Sequence, residues 1–274
     1  MNDPRKDVYA DLHGGQMKAE EQTYRLSADR ILTILAEYLQ PASVLDVGCG
    51  LGAWLAVLQS RGIDDLLGID GPWLKPADAV CDASLLRVTD LEAGFDLGRR
   101  FDLVLCLEVA EHLSPQAAER FVESLTRHSS AILFSAAIPF QGGHHHLNER
   151  FLSYWATLFA KHGYQPLDII RGRIWHDQQV AWWLRQNLVL FAHADLIAAN
   201  ASLKQAAEQR TPISVVHPDF YFQRVRDLLT QLEQFKQVEA ALRQGGMFSA
   251  AVTAQGLTIT RVDPGKKPIA RQRK

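Results

Sequence analysis

The stretch Val44-Leu45-Asp46-Val47-Gly48-Cys49-Gly50-Leu51-Gly52 limits what this chain can fold into more than any other. A strand-like apolar run meets three alternating glycines, and a helical run opens at Ala53-Trp54-Leu55. Glycine suits such a turn because it tolerates positive φ, and because the missing Cβ lets a ligand lie against backbone. The turn also aims free N–H groups at the helix start into the crevice at the strand's carboxyl end. A strand, glycine turn and helix in this order belong to an open α/β sheet with its ligand site at that edge.

The remaining sequence keeps the same rhythm. Short apolar runs at 43–47, 65–69, 85–88, 102–107 and 131–136 alternate with helical stretches, which predicts a parallel sheet covered on both faces. Two more strands are expected at 167–170 and 186–191. Ahead of the first strand, Leu26, Ile31, Ile34, Leu35 and Tyr38 space an amphipathic helix from Lys18 to Leu39, stopped by Pro41. Ser114-Pro115 reads as an N-cap followed by a first-turn proline. Asn148 reads as the cap of a helix bearing Phe151, Tyr154, Trp155, Leu158 and Phe159, closed at Gly163. A long amphipathic helix is expected from Asp219 to Arg243, closed by Gly245-Gly246. The expected organisation is an N-terminal arm and helical lid (1–40), a ligand-binding α/β domain (41–192) and a helical appendage with a disordered basic tail (193–274).

Composition narrows the partners. With 47% hydrophobic and 22% charged residues the chain has the make-up of a soluble globular protein, and a net charge of −2 gives no field that draws it to nucleic acid. Basic residues concentrate only at Lys266, Lys267, Arg271, Arg273 and Lys274, where a solvated tail is the simpler reading. Cys49, Cys81 and Cys106 form no CxxC pair, which argues against a structural zinc or a disulfide framework and for a reducing cytoplasm. The first residues are too polar for a signal peptide, and no run reaches the ~20 apolar residues of a membrane span.

The glycine turn by itself admits two cofactors. Gly48, Gly50 and Ala53 satisfy the GxGxxG/A dinucleotide pattern, and Asp70, at the end of the next strand, could accept hydrogen bonds from ribose hydroxyls. Asp46 and the third glycine, Gly52, separate the readings. Together they resemble motif I of the class I methyltransferases that use S-adenosylmethionine (SAM), in which the acidic residue reaches the cofactor's amino-acid end; a pyrophosphate there would be repelled. The resemblance extends over roughly residues 40–192. It implies a Rossmann-like, seven-stranded, mostly parallel sheet. Asp46, Gly48, Cys49, Gly50 and Gly52 would hold the methionine end, Asp70 the ribose, and Asp90 with Leu91, in Thr89-Asp90-Leu91, the adenine. Phe101-Asp102-Leu103-Val104-Leu105-Cys106-Leu107-Glu108 resembles motif IV, which implies that Cys106 and Glu108 reach the transfer site.

Methyl transfer is an in-line displacement that needs alignment above all, but an oxygen nucleophile must also lose a proton to a base or to a metal-lowered pKa. Glu108-Val109-Ala110-Glu111-His112 follows directly on the fourth strand, and its spacing puts three ligand-capable side chains on one side of a helical turn. The ExxEH string is similar to that of the ubiquinone-biosynthesis O-methyltransferases and of the small-RNA 3′-end 2′-O-methyltransferases, where such residues hold a divalent ion with a later histidine. His144, His145 and His146 follow the fifth strand and could supply that ligand or a base. The expected catalytic set is therefore His112, Glu108, His145 and His146. The expected metal set, for Mg²⁺, Mn²⁺ or Zn²⁺, is Glu108, Glu111, His112 and His146. An ordering role for the Glu-His pair, without metal, stands beside these readings.

Trp175, Trp182 and Trp183 could form a platform for a sugar or aromatic acceptor, although tryptophans at such spacing more often lie in a core. O-methylation of a small molecule or glycan is the expected activity. Its rivals are a nicotinamide-dependent oxidoreductase and a non-catalytic SAM-binding partner subunit. A homodimer could form through the C-terminal helix.

Overall fold

The computed structural model describes residues 17–209, 211–243, 247–253 and 256–262. The chain divides into two compact units between His217 and Pro218.

The first unit is built on one seven-stranded sheet: β1 (Ser43–Val47), β2 (Asp65–Asp70), β3 (Leu86–Val88), β4 (Leu103–Leu107), β5 (Ala131–Ser135), β6 (Tyr164–Leu167) and β7 (Val189–His193). Its spatial order is β3-β2-β1-β4-β5-β7-β6, with β7 antiparallel to both β5 and β6 and the other pairs parallel. The chain builds outward from β1 through β2 and β3, then crosses back to place β4 on the other side of β1. That reversal opens a crevice at the carboxyl ends of β1 and β4, where ligands of such sheets bind. β6 carries Pro166 and is an edge strand, the place where a residue with no N–H costs least.

Strand parity divides the core into two layers. Val44, Leu103, Leu105, Leu133 and Leu190 pack on one face with Ile31 and Leu35 from α1 (Met17–Leu35) and Leu55 and Leu58 from α2 (Ala53–Ser60). Leu45, Val47, Val104, Cys106, Ile132, Phe134 and Phe191 face the other way. They pack on Phe121 and Leu125 of α3 (Ala118–His128) and on Trp155 and Phe159 of α4 (Leu152–Ala160). Alternate residues of one pleated strand point to opposite faces, so both layers are fixed by the same short apolar runs.

Several boundaries differ from the sequence expectation. The sixth strand lies at 164–167, ahead of the expected 167–170, because Asp168 pairs with Arg171 as α5 (Arg171–Ile174) begins. Residues 182–187 form α6 (Trp182–Asn187), so the seventh strand starts only at Val189. Neither expected side-chain cap forms. α3 is preceded by Ala117, and α4 by Phe151, while Asn148 is buried and its Oδ1 accepts from Arg150 Nε at 3.0 Å. After β7 come α7 (Ala194–Ala199), and α8 (Ala201–Ala207) capped by the Asn200 side chain on the Leu203 amide.

The second unit contains α9 (Pro218–Arg243) and an antiparallel hairpin of β8 (Met247–Thr253) and β9 (Gly256–Val262). The hairpin is a departure from the wholly helical appendage expected. The N-terminal arm up to residue 16, Gly245-Gly246 and the basic tail lie outside the described residues. No helix among the described residues is long and apolar enough to cross a membrane.

Candidate active site

β1 delivers Asp46 and the glycine turn to the crevice. Gly48, Gly50 and Gly52 all have positive φ, at 76°, 54° and 81°. At Gly48 a Cβ would also sit 2.3 Å from Val109 Cγ2, so only glycine lets the turn close against the segment after β4. The Gly48 amide donates to the Ile69 carbonyl at 2.7 Å and the Gly50 amide to Asp70 Oδ2 at 2.7 Å, which ties the turn to the end of β2. Asp70 Oδ1 accepts from the Gly71 amide (2.6 Å) and from Trp73 Nε1 (2.7 Å). Asp46 is 3% exposed and its Oδ2 has no hydrogen-bond partner. Burial, with the charge of Asp70 added, pushes its carboxyl up to about 8.

The opposite wall comes from β4 and β5. Glu108, directly after β4, has φ 55°, a left-handed conformation that costs a residue with a Cβ roughly 1–2 kcal/mol. A web of amides holds it there. Asn187 Nδ2 donates to both Glu108 oxygens (3.1 and 3.4 Å) and Gln141 Nε2 donates to Oε2 (3.0 Å). Gln141 Oε1 in turn accepts from Asn187 Nδ2 and Gln186 Nε2, and Gln186 Oε1 accepts from the His217 amide at 2.9 Å. Burial raises the pKa of Glu108, and hydrogen bonds from Asn187, Ser135 and Gln141 oppose it.

Glu111 and His112 sit on the short 3₁₀ turn Ala110–His112. Glu111 is fully buried and neither carboxylate oxygen has a hydrogen-bond partner. The Glu111 and Ala137 amides lie near enough to ease its ionisation without making a bond of normal geometry. Burial, then the neighbouring Glu108 charge, raises its pKa well above the carboxylate range. His112 is pushed down to about 3 by burial and by His146, so its ring is neutral at ordinary pH.

The loop after β5 folds back over this turn. The Leu147 and Asn148 amides both donate to the Glu111 carbonyl, at 2.8 and 2.9 Å. Within the loop Glu149 accepts from the Phe140 and Gly142 amides, each at 2.7 Å, and meets His146 Nδ1 at 2.9 Å. A carboxylate that is already an acceptor makes Nδ1 the donor, which leaves Nε2 with the lone pair in the neutral ring. The His146 and His112 rings meet edge to face, with centroids 4.8 Å apart.

Between the two walls lies a cavity of about 290 Å³. Asp46, Gly48 and Cys49 line one side, and Glu108, Glu111, His112, Gln141, His144 and His146 the other. Tyr24 of α1, Trp54 of α2, and Trp182 and Trp183 of α6 line it as well.

A family model described as a methyltransferase domain matches residues 19–187, more than half of the chain. The chain belongs to the class I SAM-dependent methyltransferases. Magnesium protoporphyrin IX methyltransferase from Synechocystis PCC 6803, solved with bound SAH, superposes on 69% of this chain and 98% of its own, with a TM-score of 0.50 at 14% identity. The likeness is one of fold. The sugar N-methyltransferase from Streptoalloteichus sp ATCC 53650 covers 62% of this chain and 87% of its own, with a TM-score of 0.48 at 19% identity. Among curated proteins, ribosomal RNA large subunit methyltransferase E of a Caulobacter species is 40% identical over 47 residues, which is 17% of this chain. The chain thus spans about a fifth of that relative's length, 20%.

For a methyltransferase, the Asp46 wall fits the cofactor. A buried carboxylate with an unpartnered oxygen, beside a turn whose glycines admit close backbone approach, is the environment a cationic amino-acid end requires. Of the other expected cofactor contacts, Gly48 and Cys49 line the cavity with Asp46, whereas Gly50, Gly52 and Asp70 are not among its lining residues; Asp70, at the end of β2, accepts three hydrogen bonds. Asp90 is exposed and its Oδ1 accepts from the Glu92 amide, while Leu91 is buried in the core.

Cys106 is fully buried in the layer facing α3 and α4, off the cavity wall; its even position along β4 puts it there beside Val104. His145 is exposed, has φ 58° and lies off the wall as well, whereas His144 and His146 line it. Of the four residues expected to hold a metal, Glu111, His112 and His146 bring ligand atoms within 4.8 Å of one another. Glu108 is turned to Asn187 and Gln141 instead. Sequence reasoning missed Gln141, Gln186, Asn187 and Glu149 as supporting residues. Only Gln141 carried a local signal, its place beside the Gly142-Gly143 pair.

Proposed function

We propose that this chain transfers the methyl group of SAM to a hydroxyl of a small-molecule or glycan acceptor, with His146 as the base. The observation that carries this reading is the contact of His146, on the cavity wall, with Glu149 at 2.9 Å. Asp46 and the glycine turn would hold the methionine end, Asp70 the ribose, and Asp90 with Leu91 the adenine. The bound cofactor supplies an electrophilic methyl group. His146 Nε2 takes the acceptor's proton as the new O–C bond forms, while Glu149 keeps the ring in the required tautomer. Because His112 is held neutral down to about pH 3, it is a poor base and serves as a hydrogen-bonding wall. Glu108, fixed by Asn187 and Gln141, orients the acceptor.

The test is a screen of hydroxylated small molecules and glycans for gain of one methyl group by mass spectrometry. Activity found with the wild type should fall strongly in His146→Ala and recover in part with added imidazole. Methylation confined to amines without a hydroxyl would contradict the hydroxyl assignment.

The trio Glu111, His112 and His146 favours a second reading, in which a divalent ion such as Mn²⁺, Mg²⁺ or Zn²⁺ lowers the acceptor's pKa. Calorimetric titration with Mn²⁺ separates the two. Saturable binding that is lost in His146→Ala supports the metal, and its absence leaves the base.

A further inference from the structure

The polar groups of the cavity wall are largely turned into one another. Glu108 directs its oxygens to Asn187 and Gln141, and Gln141 Oε1 accepts from Asn187, Gln186 and the Ile138 amide. Both carboxyl oxygens of Glu111 and Nδ1 of His112 are buried. Glu21 pairs with Arg25, and no lysine or arginine lines the cavity among the described residues. The side of β4 and β5 therefore offers an acceptor little polar contact beyond His144 and His146.

The facing surface is aromatic and apolar. Trp182 and Trp183 of α6 and Tyr24 of α1 line the cavity, each half-buried. The two indoles meet edge to face with centroids 5.7 Å apart, and the Tyr24 ring lies 6.4 Å from that of Trp183. Leu107 and Leu184 line the cavity with them, and Gly142 and Gly143 add no side chain. Flat rings pack on such a surface, stacked or edge to face, better than puckered ones do. A ring with many hydroxyls is disfavoured, because each hydroxyl that leaves water needs a partner there.

We propose that the acceptor is an uncharged aromatic ring bearing the hydroxyl to be methylated, packed on Trp182, Trp183 and Tyr24. This specificity deepens the hydroxyl reading and rests on it. The hydroxyl faces His146, which takes its proton while the phenolic oxygen bonds the methyl group and SAH leaves. An aryl hydroxyl ionises at about 10, as tyrosine does, so one side-chain base can remove its proton during the transfer. A charged substituent on the ring would lose its hydration and find no opposite charge on this wall.

Three probes test it by ligand-observed NMR on the SAH-saturated protein: 2-naphthol, decahydro-2-naphthol and methyl β-glucopyranoside. The first two share a carbon skeleton and one hydroxyl and differ in flatness. The third exchanges the apolar skeleton for hydroxyls. 2-Naphthol should bind at least about threefold more tightly than the saturated alcohol and at least about tenfold more tightly than the glucoside. Trp182→Leu and Trp183→Leu keep an apolar side chain. Each should bring the preference for 2-naphthol over the saturated alcohol close to one, while keeping the SAH-induced rise in melting temperature. Where neither variant folds, the wild-type ranking alone decides. A saturated alcohol or glucoside as tight as 2-naphthol, failure of 2-naphthol to bind, or an unchanged preference in the folded variants overturns the proposal. Such a failure with SAH bound removes the aromatic acceptor alone and leaves the hydroxyl reading to the methylation screen. Failure of SAH itself to bind would remove the cofactor reading and this proposal with it.

Discussion

The two walls of the cavity are built by different means. On the β1 side the site is mostly backbone: three positive-φ glycines, amides tied to Ile69 and Asp70, and one buried carboxylate. On the side of β4 and β5 it is mostly side chain. Glu108 is held by Asn187 from 79 residues away and Gln141 from 33, and the histidine loop is held by Glu149. A backbone wall has little freedom to vary and suits a constant cofactor, whereas a wall of clamped side chains can be re-specified by substitution. The cofactor half and the acceptor half should therefore respond differently to mutation.

The largest effect is expected at the backbone wall. Gly48→Ala places a Cβ 2.3 Å from Val109 at positive φ, and should lower stability by roughly 2–3 kcal/mol while abolishing SAH binding. Thermal melts with and without SAH check both. If the variant binds SAH like the wild type, the turn does not carry the cofactor.

Asp46 comes next. Its folded pKa of about 8 lies above the unfolded value of 3.8, so the native state holds this proton more tightly. The associated stability is fully present below pH 3.8 and is lost as pH rises through about 8, on the order of 1.4 kcal/mol for each tenfold gain in proton affinity. Asp46→Asn should flatten that decline in the ligand-free protein. It should also weaken SAM and SAH to a similar degree, since both carry the cationic amino-acid end. Parallel pH–melting curves for the two proteins would refute the buried-acid account.

The acceptor wall should yield a smaller and separable effect. Asn187→Ala leaves Glu108 with fewer donors and should cost roughly 1–3 kcal/mol of stability, lowering kcat with little change in SAH affinity. An equal loss of SAH binding would mean that the walls are not independent. The smallest effect is expected in the second unit. Leu228, Leu232, Phe235 and Leu242 are exposed along α9 at heptad spacing, so Leu232→Glu should leave SAH binding unchanged. If α9 pairs two copies, light scattering should report a lower mass for that variant.

The same contrast explains what is legible in the sequence. The ends of β1 are plain because Val44-Leu45-Asp46-Val47 sits between Pro41 and the glycines, all local signals. The seven-stranded sheet follows from repeated short apolar runs together with the family resemblance. Motif position implies that Cys106 reaches the transfer site, although parity along β4 puts it with Val104 in the core. Asn148 looks like a cap but turns inward, because the loop 140–149 docks on Glu111 rather than leading straight into α4. The start of the last strand is displaced because Trp182–Asn187 closes as a helix that sends Gln186 and Asn187 to Gln141. No spacing within the sequence announces contacts of that range.

Titration calorimetry with SAM on the wild type and on Asp46→Asn tests the central claim most directly. One saturable site in the wild type, with binding lost or greatly weakened in the variant, is the predicted result. Saturable binding of NADH, with no heat from SAM or SAH, would contradict it.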